Sequence, residues 1–383
     1  MGTHPAAPSR VLSSGKLLSD HLAENPHLVG QQVIDRFGLQ NGHLPFLFKV
    51  LSFDRALPVQ IHPDKRLAER IHANEPERYV DPNHKPEMAL ALSQFHALCG
   101  ILPAFQVTSY LSSVPEFSSV FPQGLKDRLA AAVKAQDVGG QKDAVKDLLS
   151  VLLKAGKAHV EQKVKALVDR YNRGQISHAE GKIKPLIMRL NEMYPGDSGV
   201  FCAFLLNHFD LKAGNAFSVA AGEPHAYISG DIIECMATSD NTITAAFSPE
   251  KEKDIENFLS GVLVHPTTGK TLIQPTMFTP GSTATSGTLL FNPPINELAV
   301  MQVIVAKSQT ETHHALRGPS IAIVFEGKGT IVWADGSQRL NLTRGQVVFI
   351  GQGTTVKFSA LEHPFHLYRA FVEFEVNTNH TTT

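Results

Sequence analysis

A change of periodicity in the middle of the chain most constrains its fold. On both sides of this region, short apolar runs rich in Val, Ile and Phe are separated by Gly turns, which is typical of β-strands. Between residues 104 and 194, apolar side chains instead recur at about 3.6-residue spacing, as in LKDRLAAAVKAQ. A helical stretch of this length inside β-structure predicts a helical domain inserted into a β-domain, with charged helix faces in solvent.

These changes divide the chain into four segments. Residues 1–103 and 195–264 are predicted to form two parts of one β-domain, and residues 104–194 the helical insert. Residues 265–383 are predicted to form a second β-domain, whose regularly spaced strands run from about 298 to 376. The predicted fold class is therefore mainly β with a helical insert: jelly-roll β-sandwiches plus an α-helical domain.

Composition excludes several classes of function. The chain has 383 residues, with 35 basic and 36 acidic side chains and a net charge of −1, so it lacks the charge excess that nucleic acids or anionic membranes attract. Three scattered cysteines indicate reduced thiols, and no apolar run reaches the length of a membrane span. The opening MGTHPAAPSRVL is unlike a signal peptide. We expect a cytoplasmic protein without nucleic-acid or membrane partners, and a function confined to a pocket.

The first candidate site is Gln60-Ile61-His62. On a strand, residues two apart point to the same face, so Gln60 and His62 project together. An amide oxygen and an imidazole nitrogen are both suitable ligands for a divalent metal. The alternative is a histidine that simply makes a hydrogen bond near a strand end.

The second candidate site is the run Asn-His-Lys-Pro-Glu at 83–87. Glu87 offers a carboxylate ligand, and in an extended segment Lys85 shares its face and could hold an anionic group beside a metal. The alternative is a turn with a surface ion pair.

The third candidate site begins at Gly222-Glu223-Pro224. The proline favours extended backbone around His225, so that His225 and Tyr227 share a face. Glu234 and Asp240 follow as acid–base candidates. A long polar surface loop is the alternative interpretation of this segment.

Taken together, the three segments offer a mixed set of nitrogen and oxygen ligands on β-structure: Gln60, His62, Glu87 and His225. Neutral histidines with one carboxylate leave a coordination position for water or substrate. Such a set suits catalytic zinc better than structural zinc.

The chain resembles the type I mannose-6-phosphate isomerases (phosphomannose isomerases), a zinc-dependent cupin family, in the segments LPFLFKVLS, QIHPDK, YVDPNHKPEMA, YPGDSGVF, GEPHAYISGDIIECMA and SDN. The resemblance covers nearly the whole chain, and NHKPEMA and EPHAYISGDIIECMA are its most specific parts. It implies an isomerase that interconverts mannose 6-phosphate and fructose 6-phosphate through a zinc-assisted enediol. Such an enzyme would serve carbohydrate metabolism, where it feeds GDP-mannose biosynthesis for glycoconjugates.

The resemblance also implies roles for particular residues. One zinc ion per chain would be held by Gln60, His62, Glu87 and His225. We expect Glu234 to act as general base, with Asp240, Tyr227, His84 and Lys85 assisting catalysis. The residues expected to bind the sugar phosphate are Lys49, Lys85, Lys251 and Lys253. The expected partner is this small substrate alone, bound by a monomer.

Three departures from the family bear on the phosphate end of the site. Thr244 stands where the family has a catalytic arginine that helps hold phosphate, and Pro58 replaces a serine that is a candidate phosphate contact. The basic residue after these strands could be Lys251, but Glu250 lies beside it in an apparent one-residue insertion. We expect an intact metal site and a weakened phosphate site, unless Arg55, Lys251 or Lys253 supplies the missing charge.

Two further differences concern the ends of the fold. The family has an N-terminal strand segment ahead of the residues that match MGTHP, so either the gene model is short or the edge of the sheet differs. The second β-domain is expected to be structural, without a cluster of His and Glu ligands. There, His313 and His314 are adjacent and point to opposite faces of a strand.

Three functions therefore remain to be compared. The first is an active isomerase, whose activity the loss of the arginine would impair. The second is a metal-binding paralogue that has weakened or lost isomerase activity. The third is a generic iron-dependent cupin oxygenase, which the combination of Gln60, Glu87 and Lys85 fits less well than it fits the isomerase pattern.

Overall fold

The structure is a computed structural model that describes residues 1–265, 272–278, 287–362 and 364–372. Parts of the predicted second β-domain lie outside these described residues, including the end of its last predicted strand at 373–376.

Helices follow one another between residues 104 and 202, and the strands lie on either side of them. The helices are α1 (Leu18–Glu24), α2 (Gln31–Phe37), α3 (Lys65–Asn74), α4 (Ala104–Ser113), α5 (Pro115–Ser118), α6 (Gln123–Lys134), α7 (Val138–Lys154), α8 (Lys157–Asn172), α9 (Lys184–Met193), α10 (Ser198–Cys202) and α11 (Ile255–Gly261). The strands of the first β-region are β1 (Phe46–Phe53), β2 (Val59–Ile61), β3 (Glu87–Ala91), β4 (Phe95–Ile101), β5 (Leu206–Leu211), β6 (Ala216–Val219), β7 (His225–Ala237), β8 (Ile243–Ala246) and β9 (Leu272–Ile273). Those of the second are β10 (Thr276–Met277), β11 (Thr288–Phe291), β12 (Ala299–Val305), β13 (Thr310–His313), β14 (Ser320–Glu326), β15 (Lys328–Trp333), β16 (Gln338–Thr343), β17 (Val347–Ile350), β18 (Val356–Ala360) and β19 (Phe365–Phe371).

The long strand β7 organises the first β-region. It pairs antiparallel with β1, β2, β3 and β4, and the sheet path runs β5-β4-β7-β3-β6-β9. A strand of 13 residues can serve four partners because it changes neighbours along its length. Gly230 lies at this change with φ of +112°, and a Cβ there would come within 2.4 Å of the Gln94 carbonyl oxygen, so only glycine fits.

The helical insert packs on this sheet through one continuous core. In α7, the side chains at 144, 145, 148, 149 and 152 are buried at helical spacing, and Asp137 caps the helix by accepting a hydrogen bond from the Gly140 N–H. The same buried cluster includes Val59 and Ile61 of β2 and Leu98 of β4. The insert therefore supports the strand that bears Gln60.

The second β-region consists of two sheets that enclose a core of their own. A six-stranded sheet has the order β10-β11-β12-β19-β14-β17, and a four-stranded sheet the order β13-β18-β15-β16, as counted over the described residues. Leu22 of α1 and Val33 of α2 pack in one cluster with Val300 and Ile321 of this region and with Phe48 of β1. The N-terminal helices thus join the two β-regions, and β9 belongs to the first of them.

An ion cluster inside the helical insert gives a prediction about stability. Arg170 of α8 makes two hydrogen bonds of 2.9 Å to the Glu116 carboxylate and also contacts Glu180, which is fully buried and accepts a hydrogen bond from Tyr171. Replacing Arg170 by alanine leaves two carboxylates without their cation. We expect Arg170→Ala to lower the free energy of unfolding by about 3 kcal/mol.

Urea denaturation followed by circular dichroism measures this loss. Arg128→Ala is the matched control, because Arg128 pairs with Asp147 on the surface, where both side chains are about half exposed. It should cost at most about 1 kcal/mol. Equal losses from the two substitutions would show that the buried cluster stabilises the protein no more than a surface ion pair does.

Candidate metal centre and active site

Strand pairing brings the predicted metal ligands together. Gln60 of β2 lies directly opposite His225 of β7, and directly opposed residues of antiparallel strands present their side chains to the same face. His62 follows two residues after Gln60, and Glu87 begins β3, which also pairs with β7. All four side chains are buried, and Gln60, the most accessible, is 9% exposed.

The ligand atoms of three of these residues converge. The His62 Nε2 lies 3.2 Å from one Glu87 carboxylate oxygen, and the His225 Nε2 lies 3.4 Å from the other. Within the described ranges, His62, Glu87 and His225 form the one group of three or more His, Cys, Asp or Glu residues placed to share a metal ion. The structure thus brings together three of the four predicted ligands, His62, Glu87 and His225, from distant segments of the chain.

Backbone carbonyls fix which nitrogen of each histidine faces the centre. The Nδ1–H of His62 donates to the Asn241 carbonyl oxygen at 2.9 Å, and the Nδ1–H of His225 donates to the Glu223 carbonyl oxygen at 2.9 Å. Each ring therefore turns an Nε2 lone pair toward Glu87. Burial lowers the pKa of His62 to about 4, with a further contribution from Lys85, so the ring is neutral near pH 7.

Lone pairs facing a carboxylate fit a bound cation. The His225 Nε2 and one Glu87 oxygen are buried without a hydrogen-bond partner, an arrangement that is costly in a protein interior. A divalent metal ion satisfies both atoms at once, and nitrogen with carboxylate is a ligand set that zinc accepts. The hydrogen bonds from Nδ1 to carbonyl oxygens are the usual outer partners of metal-binding histidines.

Two loops that carry site residues are fastened to each other. The Asp81 carboxylate accepts hydrogen bonds from Ser239 Oγ and from the Asp240 N–H, while the Asn241 side chain donates to the Asn83 carbonyl oxygen. Sequence reasoning assigned no role to Asp81 or Asn241, although both stand in segments that carry the family resemblance, YVDPNHKPEMA and SDN. This support matters because the Asn241 carbonyl is the group that orients His62.

Glu234 and Lys49 form an ion pair on the strands beside the metal group. They lie opposite each other in the β1–β7 register, and Lys49 Nζ donates to Glu234 Oε2 at 2.9 Å. Burial raises the pKa of Glu234 and the charge of Glu87 raises it further, while Lys49 and Lys85 act in the opposite direction. The resulting pKa above the ordinary glutamate value suits a group that must exchange protons.

Tyr227 makes a hydrogen bond to Glu87 of the metal group. Its side chain is 1% exposed, and its hydroxyl donates a 2.6 Å hydrogen bond to a Glu87 oxygen. Burial, together with the nearby carboxylates, raises its pKa well above the ordinary value for tyrosine, so it remains a donor. The structure therefore places Tyr227, predicted as a catalytic residue, in direct contact with a ligand.

The remaining predicted polar residues lie around this centre. Lys85 donates to Thr242 Oγ1 at 3.2 Å, and the Asp240 side chain is 48% exposed. His4 Nε2 lies 3.5 Å from Asp240, and its Nδ1 accepts a hydrogen bond from the Ala6 N–H, which leaves the proton on Nε2. His4 was missed, although a histidine before proline in MGTHP offered a signal.

His84 is held by a residue of the second β-region that sequence reasoning also missed. The His84 Nε2 lies 2.6 Å from the Glu297 carboxylate. The pair borders a cavity of about 230 Å³ that is lined by Pro86 and by residues 218–221 and 294–297. Sequence reasoning found no motif around Glu297 and assigned it no role.

The candidate replacements for the family arginine have other partners. Thr244, opposite Gln60, donates its hydroxyl to the Glu252 carbonyl oxygen. Lys253 pairs with Glu250 at 2.6 Å and lies 3.8 Å from Asp197, and Lys251 is exposed. Arg55 donates to the Met193 carbonyl oxygen. Both Arg55 and Lys253 line a cavity of about 440 Å³ against the helical insert.

The second β-region contains a smaller polar cluster. Buried His313 lies 3.8 Å from Glu311, and its Nδ1 is 3.1 Å from Arg369. This pairing of Glu and His was not expected from the sequence, where only the neighbours His313 and His314 were considered. It contains two possible ligand residues, His313 and Glu311, so it does not form a group of three among the described residues.

A β-sandwich region with an inserted helical unit, together with a buried His–Glu–His group beside a perturbed carboxylate, defines a metal-dependent enzyme. Comparison with known proteins makes this specific. Residues 1–104, 122–206 and 288–337 match the models of the catalytic, helical insertion and C-terminal parts of type I phosphomannose isomerase. The chain belongs to the type I phosphomannose isomerase family.

Individual relatives match over almost the full chain. The mannose-6-phosphate isomerase of Cryptococcus neoformans is 40% identical over 97% of this chain and 88% of its own, and that of Saccharomyces cerevisiae is 38% identical with the same coverage. A variant of phosphomannose isomerase from Salmonella typhimurium superposes with a TM-score of 0.79, at 28% identity over 98% of this chain and 90% of its own. A zinc-bound mannose 6-phosphate isomerase has a TM-score of 0.78, with the same identity and coverage.

The comparisons and the structure confirm the predicted fold class, cupin-type β-sandwiches with a helical insert. They also confirm the resemblance on which the functional prediction rests. Across the ranges that the structure describes, no helix is both long and apolar enough to cross a membrane.

Proposed function

We propose that this protein is an isomerase that interconverts mannose 6-phosphate and fructose 6-phosphate with one zinc ion. The observation that supports this most directly is the buried His62–Glu87–His225 group, whose unpaired atoms a bound cation would satisfy, beside the Lys49–Glu234 pair. Relatives that match nearly the whole chain are named mannose-6-phosphate isomerase, and a solved relative is zinc-bound. The iron-dependent oxygenase and the inactive paralogue are therefore not favoured.

Gln60, His62, Glu87 and His225 would hold the metal. When bound, zinc supplies a Lewis acid that polarises the substrate oxygens and orients the sugar. Tyr227 fixes the Glu87 carboxylate, and the Asn241 and Glu223 carbonyls fix the two imidazoles. Because these partners are rigid backbone and buried groups, the ligands are arranged before any substrate arrives.

Proton transfer between the two sugar carbons is assigned to Glu234. As the ionised base it would take the proton from carbon 2 of the open-chain aldose while the oxygen on carbon 1 gains a proton, which gives the enediol. It would then return its proton to carbon 1 while the oxygen on carbon 2 loses one, which gives the ketose. Its raised pKa makes it a better proton acceptor than an ordinary glutamate. Lys49, hydrogen-bonded to Glu234, holds the carboxylate in place and keeps its pKa from rising further.

The cyclic sugar must open before the proton can move. One group takes the proton of the anomeric hydroxyl and another protonates the ring oxygen, after which the ring carbon–oxygen bond breaks. His84 and Asp240 are the groups we assign to these transfers, since both are partly accessible and lie on the loops beside the metal group. Tyr227 would assist as the positioning donor to Glu87.

Cations around the centre would receive the phosphate. Lys85 lies close enough to the metal group to influence His62, and Lys49 lies beside Glu234, so these two are the nearest candidates. Lys251 and Lys253 follow Thr244 in the chain. Lys253 would contact phosphate only if it left its carboxylate partners. The phosphate site is accordingly weaker than the metal site.

The wider setting of the reaction is also part of the proposal. The near-neutral charge and reduced cysteines favour a cytoplasmic monomer that takes only a small sugar phosphate, without nucleic-acid or membrane partners. Its product would supply the mannose activation that leads to GDP-mannose. The division into residues 1–103, 104–194, 195–264 and 265–383 remains a prediction about domains.

A coupled assay tests the function. Purified zinc-loaded protein is given mannose 6-phosphate, and fructose 6-phosphate is followed, with His62→Ala as the inactive variant. His72→Ala is the matched control, because His72 also bonds a backbone carbonyl through Nδ1 but lies outside the metal group. Turnover that only His62→Ala abolishes supports the isomerase. A zinc-loaded protein without turnover would favour the paralogue.

Restoring the family arginine should raise the activity. We expect Thr244→Arg to increase kcat/KM for mannose 6-phosphate by about 10- to 100-fold, since a charge-assisted hydrogen bond to phosphate contributes about 1.5–3 kcal/mol. Thr244→Gln has a long side chain without charge and should give no such gain. Steady-state kinetics of the three proteins decides the matter, and a Thr244→Arg variant with no gain would show that the phosphate is held elsewhere.

A further inference from the structure

The contact between His84 and Glu297 joins two parts of the chain that are 213 residues apart. Glu297 lies just before β12 of the six-stranded sheet, whereas His84 lies in the loop before β3 of the first β-region. Their atoms Oε1 and Nε2 are 2.6 Å apart, and the Glu297 side chain is 14% exposed. This is a short, largely shielded, charge-assisted hydrogen bond.

The bond determines where the imidazole keeps its proton. A carboxylate only accepts hydrogen bonds, so the Nε2 of His84 must carry hydrogen and donate it. The remaining nitrogen, Nδ1, is then the one that can exchange a proton with a substrate. A carboxylate that holds a histidine in one tautomer and orientation is a familiar requirement of histidine acid–base catalysis.

Glu297 is suited to remain ionised in this role. Burial alone would raise its pKa, but the hydrogen bond from His84 and the charge of Arg36 on α2 outweigh burial, and the pKa lies below the ordinary value. The cavity of about 230 Å³ beside the pair lies between residues 218–221 of the first β-region and residues 294–297 of the second. The pair therefore sits at the junction of the two regions.

We propose that Glu297 is a positioning residue that fixes the tautomer and orientation of His84, so that the second β-region contributes to the active site. The proposal rests on the proposed function, in which His84 transfers a proton during ring opening. It gives the second β-region, which contains none of the assigned metal ligands, a direct part in the reaction.

Glu297→Gln, His84→Gln and the double variant test the proposal. Each is loaded with zinc and assayed with mannose 6-phosphate, and nitrogen-15 NMR of labelled histidine reports the tautomer of His84. Glu362→Gln is the matched control, because Glu362 is also an ion-paired carboxylate of the second region but contacts the exposed Lys328. Zinc content and thermal midpoint are measured for every variant.

We expect Glu297→Gln to lower kcat by about 10- to 100-fold with KM within about twofold, full zinc content and an altered His84 tautomer signal. The double variant should be no slower than His84→Gln alone, because both substitutions remove the same interaction. Glu362→Gln should behave as the unaltered protein.

A Glu297→Gln variant with unchanged kcat and an unchanged His84 tautomer would overturn the proposal. So would a double variant in which the kcat losses of the two single variants multiply. A thermal midpoint that falls in parallel with kcat, with the His84 signal unchanged, would also overturn it by showing a purely structural role. If the unaltered zinc-loaded protein has no turnover, the proposed function fails. The NMR comparison then decides separately whether Glu297 sets the tautomer of His84.

Discussion

Replacing Glu87 by glutamine should remove both zinc binding and isomerase turnover. The amide keeps the size of the side chain and can still accept the hydrogen bond from Tyr227, but it no longer supplies a negative charge between His62 and His225. A metal held by two neutral imidazoles and two amides loses the ligand that balances its charge. We expect zinc affinity and kcat/KM each to fall by more than about 100-fold.

Metal analysis of dialysed protein and the coupled assay measure the two losses. The control is Glu311→Gln, which also neutralises a buried glutamate beside a histidine, here His313 of β13. Because that pair lacks a third ligand among the described residues, zinc content should be unchanged at one ion per chain. Full zinc occupancy in Glu87→Gln would contradict the assigned ligand set.

In the protein without metal, the Glu87→Gln substitution is expected to stabilise the fold. There, Glu87 is a buried charge facing two imidazole lone pairs, and its neutral amide relieves part of that cost. The Glu87→Gln variant is therefore expected to gain little thermal stability from added zinc, whereas the unaltered protein gains it by mass action. This difference separates loss of the ligand from loss of the fold.

How far the sequence predicted the site depends on the distance over which each residue acts. Alternation along a strand places Gln60 beside His62 and His225 beside Tyr227, and these pairs were predicted from local spacing. No spacing rule places Glu87 between the two histidines. The resemblance implied the ligand set, and the structure shows that β2 and β3 both pair with β7.

Long-range hydrogen-bond partners show where sequence reasoning ends. Glu297, His4 and Asp81 each hold a predicted site residue, yet sequence reasoning assigned none of them a role. Their positions depend on how loops pack after the sheets have formed, and a carboxylate in a loop has no periodicity to reveal its partner. The fold class was predictable because strand and helix spacings are local properties of the chain.

Packing between segments was equally out of reach. The helices α1 and α2 pack against strands of the second β-region, although they precede the first β-region in the chain. Amphipathic spacing in a helix does not specify the surface that the helix covers. For the same reason the sequence did not predict that Arg55 and Lys253 line a cavity against the helical insert, with Lys253 also beside Thr244 in a parallel β-bridge.

Glu234→Gln should leave zinc in place and lower kcat by about 10²- to 10⁴-fold, the range that a positioned general base contributes. The amide can still accept the hydrogen bond from Lys49 but cannot take a proton. Steady-state kinetics with metal analysis measures both properties. A Glu234→Gln variant that retains more than about a tenth of kcat would assign the base to another group.

The pH profile of Lys49→Met tests the same assignment without removing the carboxylate. Burial raises the pKa of Glu234, and Lys49 is one of the charges that lower it again, so its removal raises the pKa further. Because the base must be ionised, activity disappears as the pH falls through this pKa, and the acid limb of the kcat profile should move to higher pH. The Lys328→Met variant, which disrupts an exposed pair with Glu362, should leave the limb in place. An acid limb that stays fixed or moves to lower pH in Lys49→Met would mean that the group titrating in kcat is not Glu234.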